Sequence, residues 1–248
     1  MEEIDRLRNE NEKLKKMNEN KSDLISISAH QLRTSLSALK WIFKMFLNKE
    51  LGDINAEQEK YLNKALLSNE RTIALVNDLL TLNHSDDTSI AFKYKKVDIE
   101  NMIEQVMAEF QGEVKNKNIE LVFAKPETTI PSVTCDEEMI IVVLQNLIEN
   151  AIKYSSTNSQ VTISFSHDVK NNSIILSVHD QGIGIKKDDQ IKIFNKFFRA
   201  PNAIEKEVVG SGLGLFTTKS IVERHNGKIW FDSSEETGTT FFVVLHIA

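Results

Sequence analysis

The chain has 248 residues, of which 41% are hydrophobic, with 30 Lys plus Arg against 36 Asp plus Glu and a formal net charge of −6. That apolar fraction supports buried cores and excludes a disordered chain, and the length suffices for two ordinary domains. The acidic balance argues against a nucleic-acid partner, the single Cys135 excludes an internal disulfide and fits a reducing compartment, and no apolar run reaches the length of a membrane span.

Residues 1–21 are almost all charged or amide-bearing. Ile4, Leu7, Asn11 and Leu14 recur at steps of three and four, which predicts a coiled-coil linker, with Asn11 selecting register in a parallel dimer. No signal peptide opens the chain, and this charged opening reads as the middle of a helix, so the chain is expected to be the internal part of a longer protein. A second seam follows at Ile25, Ala29, Leu32, Leu36, Leu39, Phe43 and Phe46. Joining the two seams requires consecutive four-residue steps at 21, 25 and 29, a stutter that locally unwinds a coiled coil. With that seam inward, His30 and Thr34 fall on the outer side, one turn apart.

Gly52 is expected to break the first helix, and Asn55 with Gln58 forms a capping-box pattern that starts the second. Tyr61, Leu62, Ala65, Leu66, Ile73, Val76, Leu79 and Leu80 give the second helix an apolar face. Two long helices joined by a short turn predict a helical hairpin. Alone it cannot cover its stripe, and two copies complete a four-helix bundle, so a homodimer is expected. Residues 84–90 are a polar linker. Beyond it the expected order is a strand at 90–97, one helix at 99–117, a strand at 119–124, a helix capped by Asp136, and strands at 161–168, 173–180, 227–233 and 239–247. Helices and strands mix without strict parallel alternation, which predicts an α/β sandwich.

Five of the 9 glycines lie in "DQGIGI" (Gly182, Gly184) and "GSGLGL" (Gly210, Gly212, Gly214). The second stretch runs into a helix, where free N–H groups suit phosphate oxygens. It is neither a dinucleotide-binding fingerprint nor a P-loop, because no strand immediately precedes it and no Gly-Lys-Ser/Thr follows. On "QNLIENAIKYS", Asn146, Asn150 and Lys153 are three or four residues apart and share a face; amide oxygens suit Mg2+ and the lysine suits phosphate. Asp180 closes a strand with a carboxylate that can accept from an exocyclic amine.

Over residues 22–248 the chain resembles the catalytic core of bacterial sensor histidine kinases. "AHQLRTSLSALKW" is similar to the phosphoacceptor box, "NLIENAIKYS" to the N box, "DQGIGI" to the first Gly box, "IFNKFFRA" to the F box, "GSGLGL" to the second Gly box and "TGTTFFV" to the terminal Gly-Thr element. Six motifs in familiar order make the match specific. The resemblance implies a signalling linker at 1–21, a dimerisation and phosphotransfer domain at 22–88 and an ATP-binding domain at 89–248. It implies that His30 accepts the γ-phosphoryl group of ATP and passes it to an aspartate on the receiver domain of a response regulator. Asn150 would ligate Mg2+ beside Asn146, and Lys153 and Tyr154 would approach phosphates and sugar. Asp180 would take the adenine amine, with Gly182 and Gly184 letting the base sit close. Phe194 and Phe197 would anchor a lid at about 199–210, Arg199 would reach the transferring phosphate, Gly210, Gly212 and Gly214 would wrap the phosphates, and Thr240 would line the adenine pocket. Thr34 matches the position that places water for dephosphorylating the partner. A cytoplasmic location follows, as part of a longer sensor and without membrane contact by this chain.

Two positions depart from the family. An acidic residue usually follows the histidine, where this chain has Gln31, and a proline usually stands at Ser35. An amide orients the imidazole but cannot take its proton, so a slowed kinase is expected; with Ser35 the helical ladder can continue. Two other readings compete. Clamp-type ATPases of the same fold carry a glutamate four residues before the metal asparagine, where this chain has Asn146, which cannot activate water as a base. A pseudokinase or phosphatase-dominant core is the reading that Gln31 favours.

Overall fold

A computed structural model describes residues 2–86, 92–125, 132–206 and 210–247. The chain divides into two compact units, Met1–Ala91 with Val209–Leu213, and Phe92–Val208 with Gly214–Ala248. No helix among the described residues is long and apolar enough to cross a membrane.

The first unit is a hairpin of α1 (Glu2–Leu47) and α2 (Ala56–Asp86). Helix α1 runs 46 residues without interruption, through the stutter and through Ser35. The side chains of Ile4, Leu7, Asn11, Leu14, His30, Leu79 and Leu80 lie outside the described residues. Within the second seam Ala29 is buried, Ile25, Leu36, Phe43 and Phe46 are half-buried, and Leu32 and Leu39 are exposed. On α2, Val76 is buried, Leu62, Ala65, Leu66 and Ile73 are half-buried, and Tyr61 is exposed. Buried Asn69 donates from Nδ2 to the Leu36 carbonyl at 2.9 Å, which ties the helices and satisfies the amide N–H. Lys40 and Glu70 pair at 3.0 Å.

Helix α1 ends before Gly52. Lys49 is left-handed (φ 61), its N–H donates to Phe46 O at 3.0 Å, and the Glu50 N–H donates to Met45 O at 2.9 Å. This 5→2 and 6→1 pair is a Schellman cap with lysine where glycine is usual. Gly52 (φ 113) shapes the turn after that stop. The capping box is as expected: Gln58 N–H donates to Asn55 Oδ1 at 2.8 Å, and Asn55 N–H donates to Gln58 Oε1 at 2.9 Å.

The second unit comprises β1 (Tyr94–Val97), α3 (Ile99–Glu109), α4 (Gln111–Lys117), β2 (Glu120–Ala124), β3 (Val133–Asp136), α5 (Glu137–Tyr154), β4 (Gln160–Asp168), β5 (Ser173–Asp180), α6 (Lys187–Gln190), α7 (Pro201–Lys206), α8 (Gly214–Arg224), β6 (Lys228–Ser234) and β7 (Gly238–His246). Five strands form one sheet in the order β2-β4-β5-β7-β6, with β2 parallel to β4 and the other pairs antiparallel. Alternate residues of its inner face (Val161, Ile163, Phe165; Ile174, Leu176, Val178; Phe241, Val243, Leu245) share one core with α3, α5 and α8.

Three expectations need correction here. The helix expected over 99–117 is two, because Phe110 (φ −90, ψ 2) leaves helical geometry and turns its buried ring into the core. The strand expected over 90–97 is formed only at Tyr94–Val97, residues 90 and 91 lying outside the described residues. Strand β3 was not expected at all; its four residues pair with β1 in a separate two-stranded ribbon, too short to show an alternating pattern. Asp136, at the end of β3, caps α5 by accepting from Met139 N–H at 3.2 Å. It also accepts from Lys93 N–H at 2.8 Å, and its own N–H donates to His225 Nε2 at 3.1 Å.

Candidate functional site

Helix α5 carries the densest set of candidates. Val143, Leu144, Leu147, Ile148, Ala151 and Ile152 are buried in the core, whereas Asn146, Asn150, Lys153 and Tyr154 are half-buried on the remaining face. The helix therefore spends its apolar face on packing and holds amides and an ammonium at its edge. Lys153 pairs with Glu149 at 2.6 Å, so its charge is oriented along the helix.

The folded chain brings two further motifs to this helix. The first Gly box meets its C-terminus: Ser155 forms an antiparallel bridge with Gly182, and Ile183 N–H donates to Tyr154 O at 3.3 Å. A Cβ on Gly182 would stand 2.6 Å from both Asp180 Oδ1 and Tyr154 O, closer than any side chain tolerates. Gly184 is left-handed (φ 62) and packs against the Ser234 backbone. The start of α8 meets Asn146: a Cβ on Gly214 would lie 3.3 Å from Asn146 Oδ1. Gly212 is left-handed (φ 74).

Asp180 is the buried acid of the site. Its Oδ1 accepts from Gly182 N–H at 2.8 Å and from Thr239 N–H at 3.3 Å, leaving Oδ2 to receive a ligand's donor. Burial pushes its pKa up to about 6, against the pull of those two N–H groups. The strand register corrects the assignment of Thr240 to this pocket. Asp180 is opposite Thr239, and Thr240 is opposite His179 on the other sheet face, where its hydroxyl lies 2.8 Å from His179 Nδ1. Thr239, missed in the sequence, is the threonine beside Asp180; the two-residue period counted back from buried Phe241 would have found it.

The aromatic anchors are also reassigned. Phe194 is half-buried, 6.0 Å from the Phe231 ring, with Lys219 over its own ring at 5.7 Å. Phe197 is left-handed (φ 64) and 64% exposed, while Phe198 packs against the core. Phe194 and Phe198 are therefore the pair that anchors this segment. Helix α7 lies within the expected lid, whose residues 207–209 are outside the described ones. Arg199 Nη2 donates to Ala203 O at 3.4 Å, and Asn202, another residue the sequence did not single out, donates from Nδ2 to Gly184 O at 3.3 Å.

In the helical unit, His30 lies in the middle of α1, and Gln31 and Thr34 are exposed. The Ser35 hydroxyl donates to the Gln31 carbonyl at 3.1 Å.

A helical hairpin with a mid-helix histidine, followed by a sheet-and-helix unit with amides and a buried aspartate around two Gly boxes, defines a phosphoacceptor domain joined to a nucleotide-type domain. Residues 20–88 match the His Kinase A (phospho-acceptor) domain, and residues 135–248 match the histidine kinase-, DNA gyrase B- and HSP90-like ATPase family. The chain belongs to the bacterial sensor histidine kinases, as a catalytic core. It is 32% identical over 235 residues to the sensor histidine kinase WalK of Bacillus subtilis, covering 93% of this chain and 37% of that protein. The chain thus spans about a third of the length of the curated relatives it matches. Among solved structures, its fold is similar to full-length ShkA in complex with AMPPNP (TM-score 0.68, 24% identity, 91% of this chain and 46% of that one). It is also similar to the histidine kinase AdeS of Acinetobacter baumannii (TM-score 0.60, 25% identity, 88% and 98%).

Proposed function

We propose that the chain is an ATP-dependent protein-histidine kinase that phosphorylates itself on His30 and passes the phosphoryl group to an aspartate of a response regulator. The observation that carries this reading is the placement of Asn146, Asn150 and Tyr154 along the half-buried face of α5, with Gly214 against Asn146 and Gly182, beside Asp180, against Tyr154. Asp180 Oδ2 accepts the adenine amine, Gly182 admits the base, and Lys153 shifts from Glu149 toward phosphate. The amide oxygens of Asn146 and Asn150 suit Mg2+, and among the described residues no group of three or more acidic, histidine or cysteine side chains is placed to hold a metal ion. A hard cation held by one or two amides, substrate phosphates and water fits that donor set, with Asn150 as the protein ligand. Bound there, Mg2+ would neutralise charge on the transferring phosphate.

In the reaction one unprotonated imidazole nitrogen of His30 attacks Pγ. The P–N bond forms, the bond from Pγ to the bridging oxygen breaks, and ADP leaves with that electron pair. The proton on the other ring nitrogen departs to water, because Gln31 can orient it but not accept it. The carboxylate of the regulator then displaces histidine from phosphorus. Asn146, standing where a hydrolytic relative would place glutamate, offers no base for water, which favours transfer over hydrolysis. Thr34, exposed one turn from His30, supports an added phosphatase role.

The assembly proposed is a parallel homodimer, supported by Leu32, Leu39 and Leu75, which a single hairpin leaves exposed. The unit acts in the cytoplasm, as part of a longer sensor. Labelled ATP tests the reading: an acid-labile, base-stable label on the parent chain and none on His30→Gln is the expected result. Free phosphate without label would indicate a clamp-type ATPase, and neither product a pseudokinase.

A further inference from the structure

Helix α5 ends with four carbonyls that no helical N–H can reach. Ala151 O accepts from Ser155 N–H at 3.0 Å, and Tyr154 O from Ile183 N–H at 3.3 Å. The two between them, Ile152 O and Lys153 O, both accept from the ammonium of Lys117, each at 3.1 Å. Lys117 is the last residue of α4, 35 and 36 residues away in sequence, and is half-buried. Among the described residues it has no acidic partner; its charge faces the negative end of α5's dipole.

The corner that follows extends this clasp. Asn118 caps α4 in the left-handed region (φ 52), its carbonyl accepts from Asn158 N–H at 3.1 Å, and its side-chain amide meets that of Asn158. Glu120 N–H donates to Ser159 O at 2.9 Å. Residues 117–120 thus grip the chain from Ile152 to Ser159, the stretch that holds Lys153 and Tyr154 and bridges through Ser155 to Gly182.

We propose that Lys117 is a positioning residue for nucleotide binding: its ammonium closes the C-terminus of α5 and fixes the junction of the N box with the first Gly box. The proposal rests on the ATP-binding reading above. A charged donor bridging two part-buried carbonyls is among the stronger hydrogen-bonding arrangements. Its loss lets the last turn fray, and Lys153, Tyr154 and Gly182 lose register together.

The test compares the full chain with Lys117→Met, which keeps the aliphatic stem, and Lys117→Arg, which restores a forked cation. In nucleotide-free protein, the amides of Ser155, Asn158 and Ile183 should exchange about tenfold faster in Lys117→Met, with those of α3 unchanged. With ATP and magnesium, Kd should rise about tenfold in Lys117→Met and return to within about threefold of the parent in Lys117→Arg. The label rate at saturating ATP should change less than about twofold, a KM effect without a kcat effect. Parental exchange rates in Lys117→Met overturn the inference. So does parental ATP affinity, or an arginine variant no better than methionine. If Lys117→Met does not fold, Lys117→Gln against Lys117→Arg decides, with equal affinities overturning the inference. A parent chain that binds no ATP overturns the proposed function and the positioning claim together, whereas a failed Lys117 comparison in a parent that binds overturns only the latter.

Discussion

The Ser35 hydroxyl stands 3.1 Å from the Gln31 carbonyl oxygen, so the two positions at which this phosphoacceptor box departs from its family are hydrogen-bonded to each other. The bond is an i−4 back-bond, and α1 continues through it without a break. Where a proline would remove one backbone donor and bend the helix, serine leaves the ladder whole.

Gln31 should limit the rate of phosphoryl transfer rather than prevent it. A carboxylate there would hold the ring N–H and offset the positive charge that forms on the imidazole. Gln31→Glu is expected to raise the initial autophosphorylation rate, with about 10²–10⁴-fold as the ceiling for general-base help. His30→Gln should abolish labelling, and Thr34→Ala should lower phosphatase activity chiefly. An equal or slower Gln31→Glu enzyme at saturating ATP would show that the proton is managed by another group.

On the proposed function, Asp180 should give adenine binding a pH dependence. Its carboxyl titrates at about 6, above its usual 3.8. Only the ionised form offers a charged acceptor to the exocyclic amine, so ATP affinity should fall as pH drops through about 6. Asp180→Asn should bind weakly and lack that component of the slope. Calorimetric titration of both proteins across the range checks it, the difference between them cancelling ionisation of the nucleotide.

At His225, acid should cost the fold stability. Burial above all holds that imidazole below its usual 6.5, with Nε2 accepting from Asp136 N–H and Nδ1 placed 2.8 Å from Ile221 O. As pH falls through 6.5 the unfolded chain takes up the proton first, so the folded state loses stability. Asp180 works the other way: between 3.8 and about 6 the folded chain retains a proton the unfolded chain has released, and that contribution is lost as pH rises through about 6. Urea titrations of His225→Gln should show a flatter decline on the acid side than the parent.

Lys49→Gly should stabilise the hairpin. A left-handed lysine costs roughly 1–2 kcal/mol of backbone strain that glycine does not bear, less its greater freedom when unfolded. A net gain of about 0.5–1 kcal/mol is expected, read as a higher melting temperature.

Gly214→Ala should weaken nucleotide binding while the fold persists. The added methyl meets Asn146 Oδ1 at 3.3 Å, a contact that displaces the amide by tenths of an ångström rather than breaking the core. Unchanged Mg-ATP affinity would place the nucleotide away from this junction.

Much of this was legible because its signals are local. The capping box at Asn55 and Gln58 and the cap at Asp136 need only neighbouring residues, and α5 is amphipathic along its whole length. What escaped depends on partners distant in sequence. The ribbon of β1 and β3 joins residues about forty apart, and Phe110 stops a helix because the core accepts its ring. Thr239 and Thr240 exchange roles through pairing with β5, and Lys117 finds its carbonyls only after α5 and α4 have packed.

Strand β7 follows β6 in the chain yet lies between β5 and β6 in the sheet, and Thr239 within it supplies an N–H to Asp180. During synthesis, β5 and β6 therefore leave the ribosome with a vacant strand position between them, filled only when residues 238–246 emerge. Neither the sheet nor the aspartate's hydrogen bonds can be completed on a nascent chain cut short before that point, so a stalled ribosome would hold a product in which β5 lacks its partner on one side and β6 has none.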